Sequence, residues 1–159
     1  MARSLTVDNT TYNFPEQGED PTWGEVIVNW AEAVSDVLNN LQGPGDILET
    51  TFTIANNQSS SADVTGLSFS NSTVRAAFVE YSVYRESDTT TNGKAESGSL
   101  FLVYDDNASS GNKWIMSQDA AGNSGVTFTV ADTGQISYTS DDIGSTGYSG
   151  TMKFKARTL

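Results

Sequence analysis

The tripeptide Gly43-Pro44-Gly45 divides this chain into two segments that follow different hydrophobic periods. Two glycines flanking a proline continue neither a helix nor a strand. Ahead of it, apolar residues fall at Trp23, Ile27, Trp30, Val34, Val37 and Leu41, spaced four, three, four, three and four. That spacing is the stripe of one amphipathic helix. Thr22 stands as N-cap with Glu25 three residues on, a capping box that sets the helix start. The pattern predicts a helix over residues 23–42, stopped by Gly43 and Pro44.

After Pro44 the period is two. Leu48, Thr50, Phe52 and Ile54 share one strand face. Ala77, Val79, Tyr81 and Val83 do the same in the longest predicted strand, residues 74–85. Leu100 to Tyr104 reads as a central strand, Trp114-Ile115-Met116 as the next, and Val126, Phe128 and Val130 alternate. Gly66 marks a bulge in a short irregular strand. Asn92-Gly93 and Asp132-Thr133-Gly134 read as hairpin turns. In the last strand Met152, Phe154 and Ala156 oppose Lys153, Lys155 and Arg157. Ahead of the helix, residues 4–14 read as a hairpin-like arm and residues 15–21 as an acidic linker. Seven or eight closely spaced strands indicate a mainly β fold, an antiparallel jelly-roll-like β-sandwich. It is preceded by an N-terminal arm and one amphipathic α-helix. The expected division is an arm and anchoring helix over residues 1–43 and a display domain over 44–159.

Composition narrows the function classes. The chain of 159 residues contains no cysteine and no histidine. Disulfides and thiolate metal sites are excluded, and the commonest catalytic base and transition-metal ligand are missing. A net charge of -12 disfavours nucleic acid and anionic membranes as partners. No apolar run is long enough to span a bilayer, and residues 1–11 lack an apolar signal core. Unassisted secretion is therefore not expected.

Several residues carry competing readings. The helix stripe packs either on its own β segment or on copies and larger partners; Trp23 and Trp30 are anchors of the interface type. Asp105-Asp106 and Asp141-Asp142 are acidic pairs beside turn residues. They read as solvated turn aspartates, with calcium ligation or a glycosidase carboxylate pair as alternatives. Lys153, Lys155 and Arg157 form a basic stripe. It reads as the solvated face of an edge strand or as a docking strip for an acidic neighbour. Tyr84, Tyr104 and Tyr148 either complete a core or stack on sugars. The sequons at Asn9, Asn57, Asn71 and Asn107 are weak signals in a chain this rich in Asn, Ser and Thr. Neither a phosphate-binding loop nor a nucleophile elbow is present in the sequence.

The segments "YNFPEQGEDPTWGEVIVNWAEAVSDVLNNLQGPGDIL", "TFTIANNQSSSADVTGLSF", "VRAAFVEYSVYR" and "GYSGTMKFKARTL" together cover most of the chain. In them it resembles small virion structural proteins of tailed bacteriophages, of the decoration-like and fibre-like kind. The resemblance implies a non-enzymatic protein on the particle surface, a head decoration or knob, anchored by its N-terminal segment. It implies assembly in the bacterial cytoplasm, symmetric copies (a homotrimer is expected), and contacts with capsid, neck or tail proteins. It carries over no catalytic residue, cofactor or metal. The alternative it leaves open is a tail-fibre or receptor-binding adhesin for host surface glycans. A carbohydrate-active enzyme is the reading from another class. It requires two carboxylates converging in a cleft.

Overall fold

The computed structural model describes residues 3–7, 10–14, 23–40, 43, 45–88 and 93–159. The chain forms two compact units, Met1–Gln42 and Gly43–Leu159. The linker 15–21, the N-cap Thr22, Leu41, Pro44 and Asn92 lie outside the described residues, as does the side chain of Trp23.

In the N-terminal unit, strands β1 (Arg3–Val7) and β2 (Thr10–Phe14) form an antiparallel hairpin with Leu5 opposite Tyr12. The Thr6 and Thr11 hydroxyls meet across it at 3.2 Å. Helix α1 (Trp23–Asn40) contacts both strands. Val26, Trp30, Ala33, Val34 and Val37 are half-buried and share one helix face. Ile27, expected in the stripe, lies about 80° from the middle of that face at 3.6 residues per turn. It is 45% exposed, and Val26 takes its place. No described helix is long and apolar enough to cross a membrane.

The second unit is a mainly β sandwich of two antiparallel sheets. One has the order β3-β10-β5-β6-β7, built from Ile47–Thr53, Ser149–Thr158, Ala76–Glu86, Lys94–Tyr104 and Trp114–Gly122. The other has the order β4-β9-β8, from Ala62–Ser68, Gln135–Ser140 and Val126–Val130. Alternation decides which side chains face inward. On β5, Ala77, Val79, Tyr81, Val83 and Arg85 are all buried. The facing sheet supplies Val64, Leu67, Phe128 and Ile136 to the same core. Edge-on ring contacts join the layers, Tyr81 to Phe128 at 5.1 Å and Phe52 to Tyr138 at 5.5 Å.

Two strands run further than their apolar residues suggest. β6 begins at Lys94 and β7 continues to Gly122, because Glu96 to Leu100 pair residue by residue with Gln118 to Gly122. Ladder pairing extends them where hydrophobicity does not. β4 slips register between Asp63 and Ser68, around Gly66 at φ +85°. The β8–β9 turn uses Gly134 at φ +83°, where a Cβ would collide with the Phe69 carbonyl oxygen. One expectation fails here. β10 is not an edge strand; it lies between β3 and β5. The first strand after Gly45 returns to pair with the last, so the basic stripe crosses the interior of the sheet.

Phe154, 2% exposed on β10, is at the centre of this core. Phe154→Ala is expected to destabilise the protein by about 3–5 kcal/mol in urea unfolding. Leu48→Ala, at a site 70% exposed, should change stability by no more than about 0.5 kcal/mol.

Candidate functional site

The β unit carries a fully buried arginine. Arg85 ends β5 on the inward parity of Val79, Tyr81 and Val83, and its side chain is 0% exposed. Its Nη1 donates to Asp141 Oδ1 at 2.5 Å and to the Ser124 carbonyl at 2.8 Å. Nη2 donates to the Asp141 carbonyl at 2.6 Å and to Asn56 Oδ1 at 3.2 Å. Nε donates to the Tyr148 hydroxyl at 3.2 Å, and that hydroxyl donates to the Ile54 carbonyl at 2.8 Å. Tyr148, half-buried, thus links the arginine to the end of β3 through its hydroxyl. Lys94 also pairs with Asp141. Burial works to raise the Asp141 carboxyl, but the hydrogen bonds from Lys94 and Arg85 prevail and hold it below its ordinary value.

A buried carboxylate sits beside the arginine. Glu96 lies on β6 with the inward parity of Leu100 and Leu102. Its Oε1 accepts from the Tyr81 hydroxyl at 2.6 Å and Gln118 Nε2 at 2.9 Å. Its Oε2 accepts from the Ser124 N–H and hydroxyl, both at 3.0 Å. Burial, and then the bond to Glu96, push the Tyr81 hydroxyl above its ordinary value. Ser124 joins the two charges, with its carbonyl on Arg85 and its donors on Glu96. Four donors occupy the Glu96 carboxylate. Such a group rigidifies its surroundings and is poorly placed to act as a base.

Asp105, Asp106, Asp132 and Asp142 lie in the segments between strands. Asp105 accepts from the Asn107 N–H at 2.9 Å, and Asp142 from the Gly144 N–H at 2.8 Å. Asp132 accepts from the Gly111 and Lys113 N–H groups at 2.6 and 3.0 Å. Asp106 accepts from the Tyr104 hydroxyl at 2.9 Å and from Lys113 at 3.3 Å. Hydrogen bonds hold Asp106, Asp132 and Asp142 below their ordinary values, led by Tyr104, the Gly111 N–H and the Gly144 N–H respectively. Asp105, Asp106 and Asp142 are turn residues as the sequence indicates; Asp141 is the counterion of a buried arginine. Among the described residues no three His, Cys, Asp or Glu side chains converge as metal ligands.

The outer face of the five-stranded sheet carries the basic stripe. Lys155 pairs with Glu80 at 2.6 Å, and Lys153 approaches Glu49 at 4.0 Å. The Arg157 guanidinium stands 5.9 Å from the centre of the Phe78 ring. Beside the stripe, Ser82, Ala95, Ser97 and Ala121 leave a shallow groove of about 490 Å³ between Tyr84 and Lys153. Tyr84 is 51% exposed and its hydroxyl donates to Glu86 at 3.0 Å. In the N-terminal unit Trp30, Val34 and Val37 are half-buried, while Ile27, Val28 and Leu38 are exposed.

Arg85, Glu96 and Ser124 escape a search for motifs. Strand parity is the signal that finds the first: Arg85 falls two residues along from inward-facing Val83, where a charge demands a buried partner. Glu96 lies in the part of β6 that ladder pairing extends beyond its apolar residues. Ser124 carries no such signal, since it lies in the loop between β7 and β8.

No protein-family model matches the chain, and no curated protein matches it. Among solved structures it is similar to the tailspike protein of Acinetobacter phage vB_ApiP_P1. Identity is 15% and the TM-score 0.44, over 70% of this chain and 22% of that one. A likeness at this level identifies neither a family nor a functional residue.

Arg85→Ala is expected to cost about 2–5 kcal/mol, because it empties a fully buried site and leaves the Ser124 and Asp141 carbonyls and Asn56 Oδ1 without their guanidinium donor. Asp141 titrates lower in the folded chain than the ordinary value of 3.8. Its stabilisation is complete above that value and is lost as pH falls through the folded one. Urea midpoints measured from about pH 5 toward pH 2 should therefore fall steadily. In Asp141→Asn the curve should start lower and be flatter.

Proposed function

We propose that the chain is a non-enzymatic structural protein of a tailed-phage particle, attached through its N-terminal unit and displaying its β-sandwich. The observation that carries this reading is the apolar exposure of the small N-terminal unit. The sandwich satisfies its buried charges internally, through Arg85, Asp141, Ser124 and Glu96. The small hairpin-and-helix unit leaves Ile27, Val28 and Leu38 exposed, 45–59% each. Exposed apolar residues on a small unit suit attachment. The resemblance to phage virion proteins supplies the particle, with assembly in the bacterial cytoplasm and capsid, neck or tail proteins as neighbours. Copies associate, with a homotrimer as the expected state.

A second reading has its own support. Tyr84 lines the groove beside Lys153, and an exposed ring beside a shallow trough can stack on a sugar. In that reading the protein is an adhesin for host surface glycans.

Three measurements test these readings. Full-length protein carrying Ile27→Asp and Leu38→Asp should keep its circular dichroism and bind particles lacking the native copy at least about tenfold more weakly. Undiminished occupancy would move attachment to the sandwich. Incubation with host polysaccharide should release no reducing ends, whereas sustained release abolished by Asp141→Asn would establish an enzyme. Glycan binding that vanishes with Tyr84→Ala, while particle attachment persists, would favour the adhesin.

A further inference from the structure

The exposed large apolar side chains of strands β3–β10 are Leu48, Tyr84, Phe101, Val103 and Ile115. Tyr84, Phe101, Val103 and Ile115 stand on the outer face of the five-stranded sheet, opposite in parity to the buried residues of their strands; Leu48, expected on the inward face with Thr50, Phe52 and Ile54, is exposed where β3 shifts register against β10. Three of the outer-face residues gather at one end of the sheet. Val103 pairs with Ile115 on one side and Ala76 on the other. Phe101 pairs with Phe78, ring centres 5.1 Å apart. Phe101, Val103 and Ile115 remain 46%, 49% and 55% exposed. Contiguous apolar exposure of this kind marks an interaction surface.

Charge selects the occupant. A chain of net charge -12 repels its own copies over most approaches. The outer face is different. Of eight lysines and arginines, three, Lys153, Lys155 and Arg157, stand on it beside the apolar corner. Glu49 and Glu80 are interleaved with them, and Glu86 and Asp119 stand on the same face. The face is near charge balance and bears both signs in adjacent rows, so it is complementary to itself. An acidic partner would find the stripe already half neutralised. A basic partner would be drawn to the rest of the surface instead.

We infer that the corner formed by Phe78, Phe101, Val103 and Ile115 is a contact between copies of this chain. Lys155 and Glu80 beside it can exchange partners across the contact. This inference rests on the self-association proposed above and gives it a surface; a face that meets itself closes a pair, so a homotrimer needs a further contact elsewhere, and attachment through the N-terminal unit does not depend on it.

The absence of cysteine makes the test direct. Full-length Val103→Cys, mildly oxidised at micromolar concentration, should form a covalent dimer in high yield. Thr127→Cys, exposed on β8 of the other sheet, should not. Separately, Ile115→Glu and Phe101→Glu should reduce the mass seen by light scattering to that of a monomer, with unchanged circular dichroism. Equal crosslinking of the two cysteine variants would overturn the inference. So would an oligomer that survives both glutamate substitutions. If that oligomer instead dissociates with Ile27→Asp, the contact lies on α1 and self-association stands. A wild type that is monomeric at every concentration would overturn both, with particle attachment still judged by its own binding assay.

Discussion

A guanidinium with no access to water organises one end of this sandwich. Arg85 cannot lose its proton, so burial is tolerable only with every donor satisfied. Its partners come from distant parts of the chain: Asn56, Ser124, Asp141 and Tyr148. One side chain thereby fixes the loops after β3, β7 and β9 with respect to β5. Ser124 passes the constraint to Glu96, and Glu96 to Tyr81 and Gln118. Loops that would otherwise vary are held to a few ångströms by charge-assisted bonds.

The same network shapes the functional reading. Catalytic carboxylates need an open position toward a substrate. Here the most buried carboxylate, Glu96, is occupied by donors from three elements, and Asp141 is shared between two cations. Rigidity at the loop end is consistent with the proposed structural role. The surfaces left for interaction are the outer sheet face and the small N-terminal unit, each with exposed apolar residues.

Charge is distributed to the same effect. An excess of carboxylates repels copies of the chain over most approaches. Lysine and arginine then become scarce, and where they are placed matters. Arg85, Lys94 and Lys113 serve internal pairs with Asp141 and Asp106. The three on β10 give one face of the sandwich a mixed character that the rest lacks.

Much of the fold is legible in the sequence because alternation is a local property. Val79, Tyr81 and Val83 declare an inward face without reference to any neighbour, as do Met152, Phe154 and Ala156. Gly134 and Gly66 likewise declare a turn and a bulge, since the required φ excludes a side chain. What the sequence leaves open is anything set by pairing between distant strands. The basic stripe of Lys153, Lys155 and Arg157 is plain, but not that β3 pairs on the far side of β10. Asp141 looks like its turn neighbour Asp142 until Arg85 arrives from 56 residues away. Period and turn chemistry act over a few residues and can be read there. Strand order and buried ion pairs depend on which segments meet, and only the tertiary structure decides that.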